Sequence, residues 1–390
     1  MASALKSGAK FAAKLLIVIV CSLAVLEAAL QLYFYPSFDF FRVSEFDEYK
    51  WARLKPGADK IITNKIRLSL FAPFIKFRYP VKINSQGLRA DTDYALSPAS
   101  PAYRVICIGD SVTFGWNLEG RYSYPALLEQ ELNRLNPGLH AQVINAGYPS
   151  YTSRQGLIWL DQQLLDLHPN LVIAQFGFND SLPSWLRMSG PIFLGADREV
   201  MAGTPGSWQP IPAGGFRRLT DLLVSHTIIG KVPLFLYSVA TQPRRPSGPK
   251  PDEDAAYQRA RVPLEDFRDN LLEIARLCRE HRVRLILIDA WGVPPEYRDA
   301  IRQFAKANAL EVFSQAAVME QGFLGLKDLL GQDQYRPYLE KIHARFNDKF
   351  LEKNKIFYLG VDWLHPNELG NLLIARKLSE FILAGEAKKQ

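Results

Sequence analysis

Cysteine is scarce in this chain, since its 390 residues include only three. Three cysteines do not form a disulfide framework, and Cys21, Cys107 and Cys278 all lie in segments where a small buried apolar residue fits. Dense Lys/Arg tracts interleaved with aromatic residues are also missing, so the formal charge of +7 gives no support for nucleic-acid binding. No His/Cys/Asp cluster has metal-ligand spacing. We therefore predict neither a metal nor another cofactor.

A long apolar run occurs once, near the N-terminus. Phe11 to Tyr35 is apolar apart from Lys14, Glu27 and Gln31, and about 20 such residues span a bilayer. Lysines at positions 6, 10 and 14 place the N-terminus in the cytoplasm by the positive-inside rule, with everything after Pro36 outside. Residues 1–35 are thus predicted to be a cytoplasmic stub and a transmembrane signal-anchor, with the rest of the chain outside the cytoplasm.

A cleaved signal peptide is the alternative for this segment, because Leu15 to Leu26 has the length of its apolar core. Cleavage after Ala28 or Ala29 would put Leu26 or Glu27 at a position that requires a small residue, so we favour the uncleaved anchor. Both alternatives predict export. A carboxylate deep in a bilayer costs a few kcal/mol, so Glu27 either contacts a membrane-protein partner or lies near the outer interface.

Beyond the anchor the pattern changes twice. Residues 36–102 look irregular, and the Ser/Pro/Ala run from Ser97 to Ala102 indicates a linker. From residue 103 to 390, short apolar runs alternate with helix-length amphipathic segments, which is typical of an α/β domain with a parallel sheet. The predicted strands are Val105 to Ile108, Gln142 to Asn145, Leu171 to Phe176 and Arg284 to Ile288.

Two regions interrupt the alternation of strands and helices. Residues 181–262 contain Pro/Gly-rich pieces around an apolar stretch, and residues 296–357 are mainly helical and highly charged. Insertions between core elements often become loops or lids that shape a binding site. A surface insertion without a substrate role is equally compatible with this composition.

Short polar motifs follow the predicted strands. "IGDSVTFG" follows the first strand, "NAG" ends the second, "GFND" follows the third, and "DWLHPN" lies near the C-terminus. The carboxyl ends of parallel strands converge on one edge of a sheet, where ligands bind. We therefore expect these motifs to meet in space.

Together the motifs contain the groups that acyl transfer requires. Ser111 would attack a carbonyl, His365 would accept and return its proton, and Asp362 would orient the imidazole. The backbone N–H groups of Ser111 and Gly147 and the side-chain amide of Asn179 would form an oxyanion hole. Read alone, Gly-Asp-Ser after a strand is also a good helix cap, so Ser111 has a purely structural alternative.

The four motifs resemble those of the SGNH hydrolase superfamily, the Gly-Asp-Ser esterases and acyltransferases, whose blocks centre on Ser, Gly, Asn and His in this order. The resemblance covers roughly residues 103 to 384. It implies a flavodoxin-like three-layer α/β/α sandwich with a five-stranded parallel sheet. It also implies the roles just given for Ser111, Gly147, Asn179 and His365.

These observations predict a membrane-anchored, extracytoplasmic serine esterase or O-acyltransferase that works through an acyl-enzyme. With the resemblance, they imply an anchor in the bacterial inner membrane and a catalytic domain in the periplasm. Anchored bacterial members of the superfamily often act on acyl groups of cell-surface or exported polysaccharides, so the resemblance implies an acylated, for example acetylated, carbohydrate as substrate. The alternative is a non-catalytic subunit of a membrane complex that keeps the fold. The intact set of motifs argues against that alternative, because packing alone does not require all four.

Overall fold

The computed structural model describes residues 2–34, 39–66, 75–96, 102–183, 197–211, 260–345, 357–358 and 364–387. The apolar N-terminal segment lies in one helix, α1, which spans Ala2–Phe34. In this described part of the chain, no helix is both long and apolar enough to cross a membrane, so the predicted transmembrane helix is not supported. Glu27 lies in α1 and is partly exposed; a membrane-protein partner for it stays a prediction.

The segment predicted to be irregular contains two β-hairpins. Strands β1 (Ser44–Asp47) and β2 (Trp51–Leu54) pair antiparallel, as do β3 (Asp59–Ile66) and β4 (Ile75–Lys82). Leu54 and Ile62 are fully buried and belong to the same hydrophobic cluster as Ile106 of the main domain. The description of residues 36–102 as irregular was therefore wrong, because its scattered aromatic and aliphatic residues bury themselves against the main domain. Residues 97–101 of the predicted linker lie outside the described residues.

A five-stranded parallel sheet forms the centre of the main domain. Its strands are β5 (Arg104–Gly109), β6 (Gln142–Gly147), β7 (Leu171–Gln175), β8 (Arg284–Asp289) and β9 (Glu311–Ser314), in the spatial order β6-β5-β7-β8-β9. All six residues of β5 are buried, as expected for a parallel strand covered on both faces. The predicted α/β fold with a parallel sheet is confirmed.

Helices flank this sheet, and they are numbered here in chain order. They are α2 (Ser111–Phe114), α3 (Tyr124–Leu135), α4 (Ser153–Gln162), α5 (Phe178–Ser181), α6 (Asp197–Val200), α7 (Leu264–Glu280), α8 (Pro295–Ala307), α9 (Gln315–Leu324), α10 (Leu326–Leu330), α11 (Arg336–Arg345) and α12 (Glu368–Ala387). Helix α12 packs on α3 and α9, while α7 packs on α4 and α8. Helix α3 is amphipathic, and its residues Leu127, Leu128 and Leu132 are buried.

The fifth strand lies inside the region that the sequence predicts to be a mainly helical insertion. Strand β9 has only four residues and pairs in parallel with β8. Its sequence, "EVFS", is too short and too polar at its ends to show a strand pattern. Residues 296–357 therefore contain a core strand as well as helices. Most of the other predicted insertion, residues 181–262, lies outside the described residues.

The strand register brings the polar motifs to one edge of the sheet. Gly109, the last residue of β5, pairs with Gly147 of β6 on one side and with Gln175 of β7 on the other. The segments that leave these strands therefore start side by side. The candidate site lies at this carboxyl edge.

Candidate active site

Ser111 is the first residue of α2, the single helical turn that follows the buried strand β5. The carboxylate of Asp110 caps this turn by accepting a hydrogen bond from the Val112 N–H at 2.9 Å. Gly115 ends the turn in a left-handed conformation, with φ +82°, which glycine adopts without steric cost. The sequence thus places Ser111 on a sharp strand-to-helix turn at the sheet edge.

The imidazole of His365 lies against this serine. The distance from His365 Nε2 to Ser111 Oγ is 2.8 Å, although 254 positions separate them in the chain. A nucleophile and its base are recognised by this hydrogen-bonding distance. The structure therefore brings together the two residues to which the sequence assigns the chemistry.

Asn367 fixes the position of the His365 segment. Its Oδ1 accepts the N–H groups of Leu369 and Gly370, both at 3.0 Å, and so caps helix α12. Its Nδ2 donates to the carbonyl of Tyr358 at 3.0 Å. One turn later, Asn371 accepts the N–H of Tyr124 at 3.1 Å and so joins this segment to the start of α3.

Gly147 lies directly beside α2. A Cβ at this position would lie 2.2 Å from the backbone nitrogen of Phe114, so only glycine allows the end of β6 to approach the helix this closely. The N–H of Gly147 donates to the side-chain oxygen of Asn145 at 3.0 Å. The predicted oxyanion donor thus has an acceptor within the protein.

Asn179 links two of the predicted blocks. Its Nδ2 donates to Asp110 Oδ2 at 3.2 Å and to the carbonyl of Tyr151 at 3.1 Å. The side chain is buried, and it lies in α5 at the end of β7. Of the three predicted oxyanion donors, only the Ser111 N–H donates to no protein group among the described residues.

Asp110 belongs to the site, although no catalytic role was predicted for it from the sequence. Burial raises the pKa of its carboxyl group to about 6, against the opposing effects of the Val112 N–H and of the nearby His365. One oxygen holds α2 and the other holds Asn179. The preference of Asp for helix N-caps was the signal in "GDS" that could have identified it.

Asp362, the predicted orienting carboxylate, lies outside the described residues. The other four predicted residues (Ser111, Gly147, Asn179 and His365) lie in described segments at the carboxyl edge of the sheet. Within those segments, no group of three or more His, Cys, Asp or Glu residues could hold a metal ion.

Comparison with known proteins matches this region to one family. The model of the GDSL-like lipase/acylhydrolase family matches residues 107–373. An arylesterase from Vibrio mimicus is 29% identical over 163 residues, which cover 38% of this chain and 80% of the relative. An acetylxylan esterase from Xylanibacter ruminicola is 30% identical over 125 residues, 30% of this chain. The match spans only 25% of the length of that second relative.

Among solved structures, an acetylxylan esterase from Geobacillus stearothermophilus shares 13% sequence identity with the chain. The match covers 72% of this chain and 94% of the relative, with a TM-score of 0.39. A likeness at this level adds nothing to the fold described above.

Proposed function

Since the chain belongs to the GDSL-like lipase/acylhydrolase family and is an ester-hydrolysing enzyme, we propose that Ser111 is its nucleophile and His365 its general base. The observation that carries this proposal is the 2.8 Å distance between His365 Nε2 and Ser111 Oγ. A non-catalytic subunit would have no need to keep this pair together.

The reaction proceeds through an acyl-enzyme. His365 Nε2 takes the Ser111 hydroxyl proton while Oγ forms a bond to the ester carbonyl carbon. The tetrahedral intermediate then collapses, the bond to the leaving alcohol breaks, and the imidazolium returns the proton to that alcohol. Water next attacks the acyl-enzyme with His365 again as base, which releases the carboxylic acid and restores Ser111.

The negative oxygen of the tetrahedral intermediate needs donors held in advance. The Ser111 N–H meets this need directly, because it donates to no protein group among the described residues. The Gly147 N–H and the Asn179 amide donate to the protein acceptors Asn145, Asp110 and Tyr151, so their part in the oxyanion hole stays a prediction. The orienting role of Asp362 stays a prediction.

The experiment compares hydrolysis of a chromogenic acetyl ester by the wild type and by Ser111→Ala and His365→Ala. Loss of a catalytic serine or histidine lowers the turnover number by about 10⁴ to 10⁶ in serine hydrolases. We expect both variants to fall to the background rate while keeping the wild-type circular-dichroism spectrum. If the wild type hydrolysed the ester no faster than Ser111→Ala, the result would contradict the proposal and favour a non-catalytic subunit that keeps the fold.

For the substrate we propose an acetyl ester on a cell-surface or exported polysaccharide. The support is that one of the two curated relatives is an acetylxylan esterase; the other is an arylesterase. Release of acetate from acetylated xylan at a higher kcat/KM than from an aryl acetate would support the carbohydrate. Transfer of the acyl group to an added sugar hydroxyl, measured by mass spectrometry, would make the enzyme an O-acyltransferase instead.

We also propose that the catalytic domain works outside the cytoplasm. The support is the apolar run from Phe11 to Tyr35 with its preceding lysines. A protease added to intact spheroplasts should digest the catalytic domain. Digestion only after lysis would place the domain in the cytoplasm and contradict the proposal.

A further inference from the structure

Arg89 reaches the active site from the N-terminal hairpin segment. It leaves a tight turn in which Asn84 Oδ1 accepts the N–H groups of Gln86 at 3.1 Å and Leu88 at 2.9 Å. Gly87 adopts φ +77° in this turn, a conformation that favours glycine. The stretch "NSQGLR" is therefore a defined turn that ends at Arg89.

The guanidinium of Arg89 binds the backbone that follows the nucleophile. Its Nη1 donates to the carbonyl oxygens of Phe114 and, at 2.9 Å, of Gly115, and its Nη2 donates to that of Leu118 at 2.5 Å. The Gly115 N–H in turn donates to the Ser111 carbonyl at 3.1 Å. One side chain thus fixes three carbonyls in the seven residues after Ser111.

Arg89 also contacts the strand that carries Gly147. Its backbone N–H donates to the Asn145 carbonyl at 3.4 Å, and Asn145 Nδ2 donates to the Phe114 carbonyl at 3.3 Å. Asn145 Oδ1 accepts the Gly147 N–H. Arg89 and Asn145 therefore hold the serine turn and the Gly147 block in one hydrogen-bond network.

The environment of Arg89 is unusual for a cation. The side chain is buried, its guanidinium lies over the Phe114 ring with its central carbon 4.2 Å from the centroid, and no described carboxylate forms an ion pair with it. Burial lowers the pKa of Arg89 to about 10, so it stays charged at neutral pH. Burying an unpaired charge is costly, and here carbonyl oxygens and an aromatic face take the place of a carboxylate.

We propose that Arg89 is a positioning residue for ester hydrolysis, which holds the turn after α2 in place. This turn keeps Ser111 Oγ within hydrogen-bonding distance of His365 and keeps the Ser111 N–H directed at the oxyanion. This inference rests on the proposed function, because its first readout is hydrolysis at Ser111. Arg89 itself does not touch the reacting atoms. Its effect is on geometry, where a displacement of about 1 Å lowers the rate about 100-fold.

Arg104 supplies a matched control at the opposite end of β5. It is 1% exposed, and it donates to the carbonyl oxygens of Leu167 at 2.6 Å and Ala95 at 2.5 Å. Both arginines are thus buried and bind backbone carbonyls, but only Arg89 binds those that follow Ser111. The experiment measures kcat and KM for Arg89→Ala, Arg89→Lys and Arg104→Ala, with and without added guanidinium below unfolding concentrations.

For Arg89→Ala we expect kcat to fall about 100-fold with little change in KM, and guanidinium to restore part of the loss. The kcat of Arg89→Lys should lie between those of the wild type and Arg89→Ala, because an ammonium cannot hold three carbonyls in the fork geometry of a guanidinium. Arg104→Ala should keep kcat per folded molecule and show no rescue. An unchanged kcat in Arg89→Ala, or equal losses without rescue in both alanine variants, would overturn the proposal.

Hydrogen exchange tests the same inference without any turnover. In Arg89→Ala, the amides that donate hydrogen bonds in residues 112–118 should lose protection, while Arg104→Ala leaves them protected. Retained protection in Arg89→Ala refutes the positioning role even if the wild type hydrolyses esters. A wild type without Ser111-dependent hydrolysis refutes the proposed function instead, and the exchange data still decide whether Arg89 holds this turn.

Discussion

At the scale of single residues, Asp110 combines a burial cost with two structural tasks. Its oxygens hold the N-terminus of α2 and the amide of Asn179. Burial raises the pKa of its carboxyl group from 3.8 to about 6. The folded protein therefore keeps a proton that the unfolded chain has already released between these two values.

This shift predicts a pH dependence of stability. Because the folded state binds the extra proton, ionisation of Asp110 lowers the free energy of unfolding as pH rises from about 4 to 6. The loss is about 2 to 3 kcal/mol, at 1.36 kcal/mol per pKa unit. Urea denaturation at several pH values in this range measures the free energy of unfolding. In the wild type this energy should fall as pH rises, and in Asp110→Asn, which has no titrating group at position 110, it should fall less steeply.

Asp180 is the internal control for this measurement. Burial raises its pKa to about 6 as well, and it is unchanged in Asp110→Asn, so part of the wild-type slope should remain. Identical slopes in the wild type and in Asp110→Asn would contradict the burial cost assigned to Asp110.

At the scale of elements, the contact between β6 and α2 determines where Ser111 lies. Gly147 permits this contact, since any Cβ there would overlap the backbone of Phe114. We expect Gly147→Ala to push α2 away, to lower the free energy of unfolding by about 1 to 3 kcal/mol, and to reduce kcat/KM. Urea denaturation and acetyl-ester kinetics measure the two effects.

Gly138 is the matched control, because a Cβ there would meet no atom closer than Asn136 Oδ1 at 3.7 Å. Gly138→Ala should keep wild-type stability and activity. If the two alanine variants behaved alike, the close approach of β6 to α2 would not be what positions the nucleophile.

The elements found from the sequence are those with strong local patterns. The four predicted strands are mostly buried runs rich in aliphatic residues, such as Val105 to Ile108, whose pattern is visible without knowledge of the fold. Strand β9 was not predicted, because four residues with polar ends show no periodicity. The hairpins were missed for another reason, because β4 does carry a local pattern. Its sequence, "IKFRYPVK", alternates apolar and polar residues, and Phe77, Tyr79 and Val81 are buried. The description of residues 36–102 as irregular overlooked this alternation.

The residues of the candidate site likewise fall into those that local sequence patterns predict and those that only the structure shows. Ser111 and His365 could be found because strand-end motifs and the convergence of parallel strands predict their meeting. The helix cap formed by Asp110 could also be found, from the preference of Asp for helix N-caps, but its bond to Asn179 could not. Asn145 and Arg89 could not be found, since their importance lies in contacts with residues distant in sequence.

At the scale of the whole molecule, the N-terminal hairpin and the predicted insertion at residues 181–262 hold the loop between β6 and α4. From the N-terminal hairpin, the Ala52 carbonyl accepts the Tyr151 hydroxyl at 2.5 Å. From the region after β7, Asp197 accepts the Thr152 hydroxyl at 2.7 Å, and Arg261 donates to the Ser150 carbonyl at 2.9 Å. The loop beside Gly147 is therefore held from two sides.

Arg261 and Asp197 form a buried ion pair, with Nη2 and Oδ2 3.3 Å apart and side-chain exposures of 4% and 0%. Removing one partner leaves an uncompensated buried charge, so Arg261→Met should lower the free energy of unfolding by about 3 kcal/mol. Urea denaturation measures the loss.

Arg276 is the control, because its ion pairs with Glu273 and Glu280 lie on the exposed surface of α7. Arg276→Met should change stability by less than about 1 kcal/mol. Equal effects in the two methionine variants would show that the buried pair does not brace the molecule.

Covalent labelling tests the central claim, that Ser111 is a nucleophile activated by His365, more directly than any rate. Intact-mass spectrometry after incubation with a fluorophosphonate should show one adduct per wild-type chain, mapped by proteolysis to Ser111. The adduct should be absent in Ser111→Ala and should form far more slowly in His365→Ala. An unlabelled wild type, or an adduct at another residue with ester hydrolysis intact, would contradict the account.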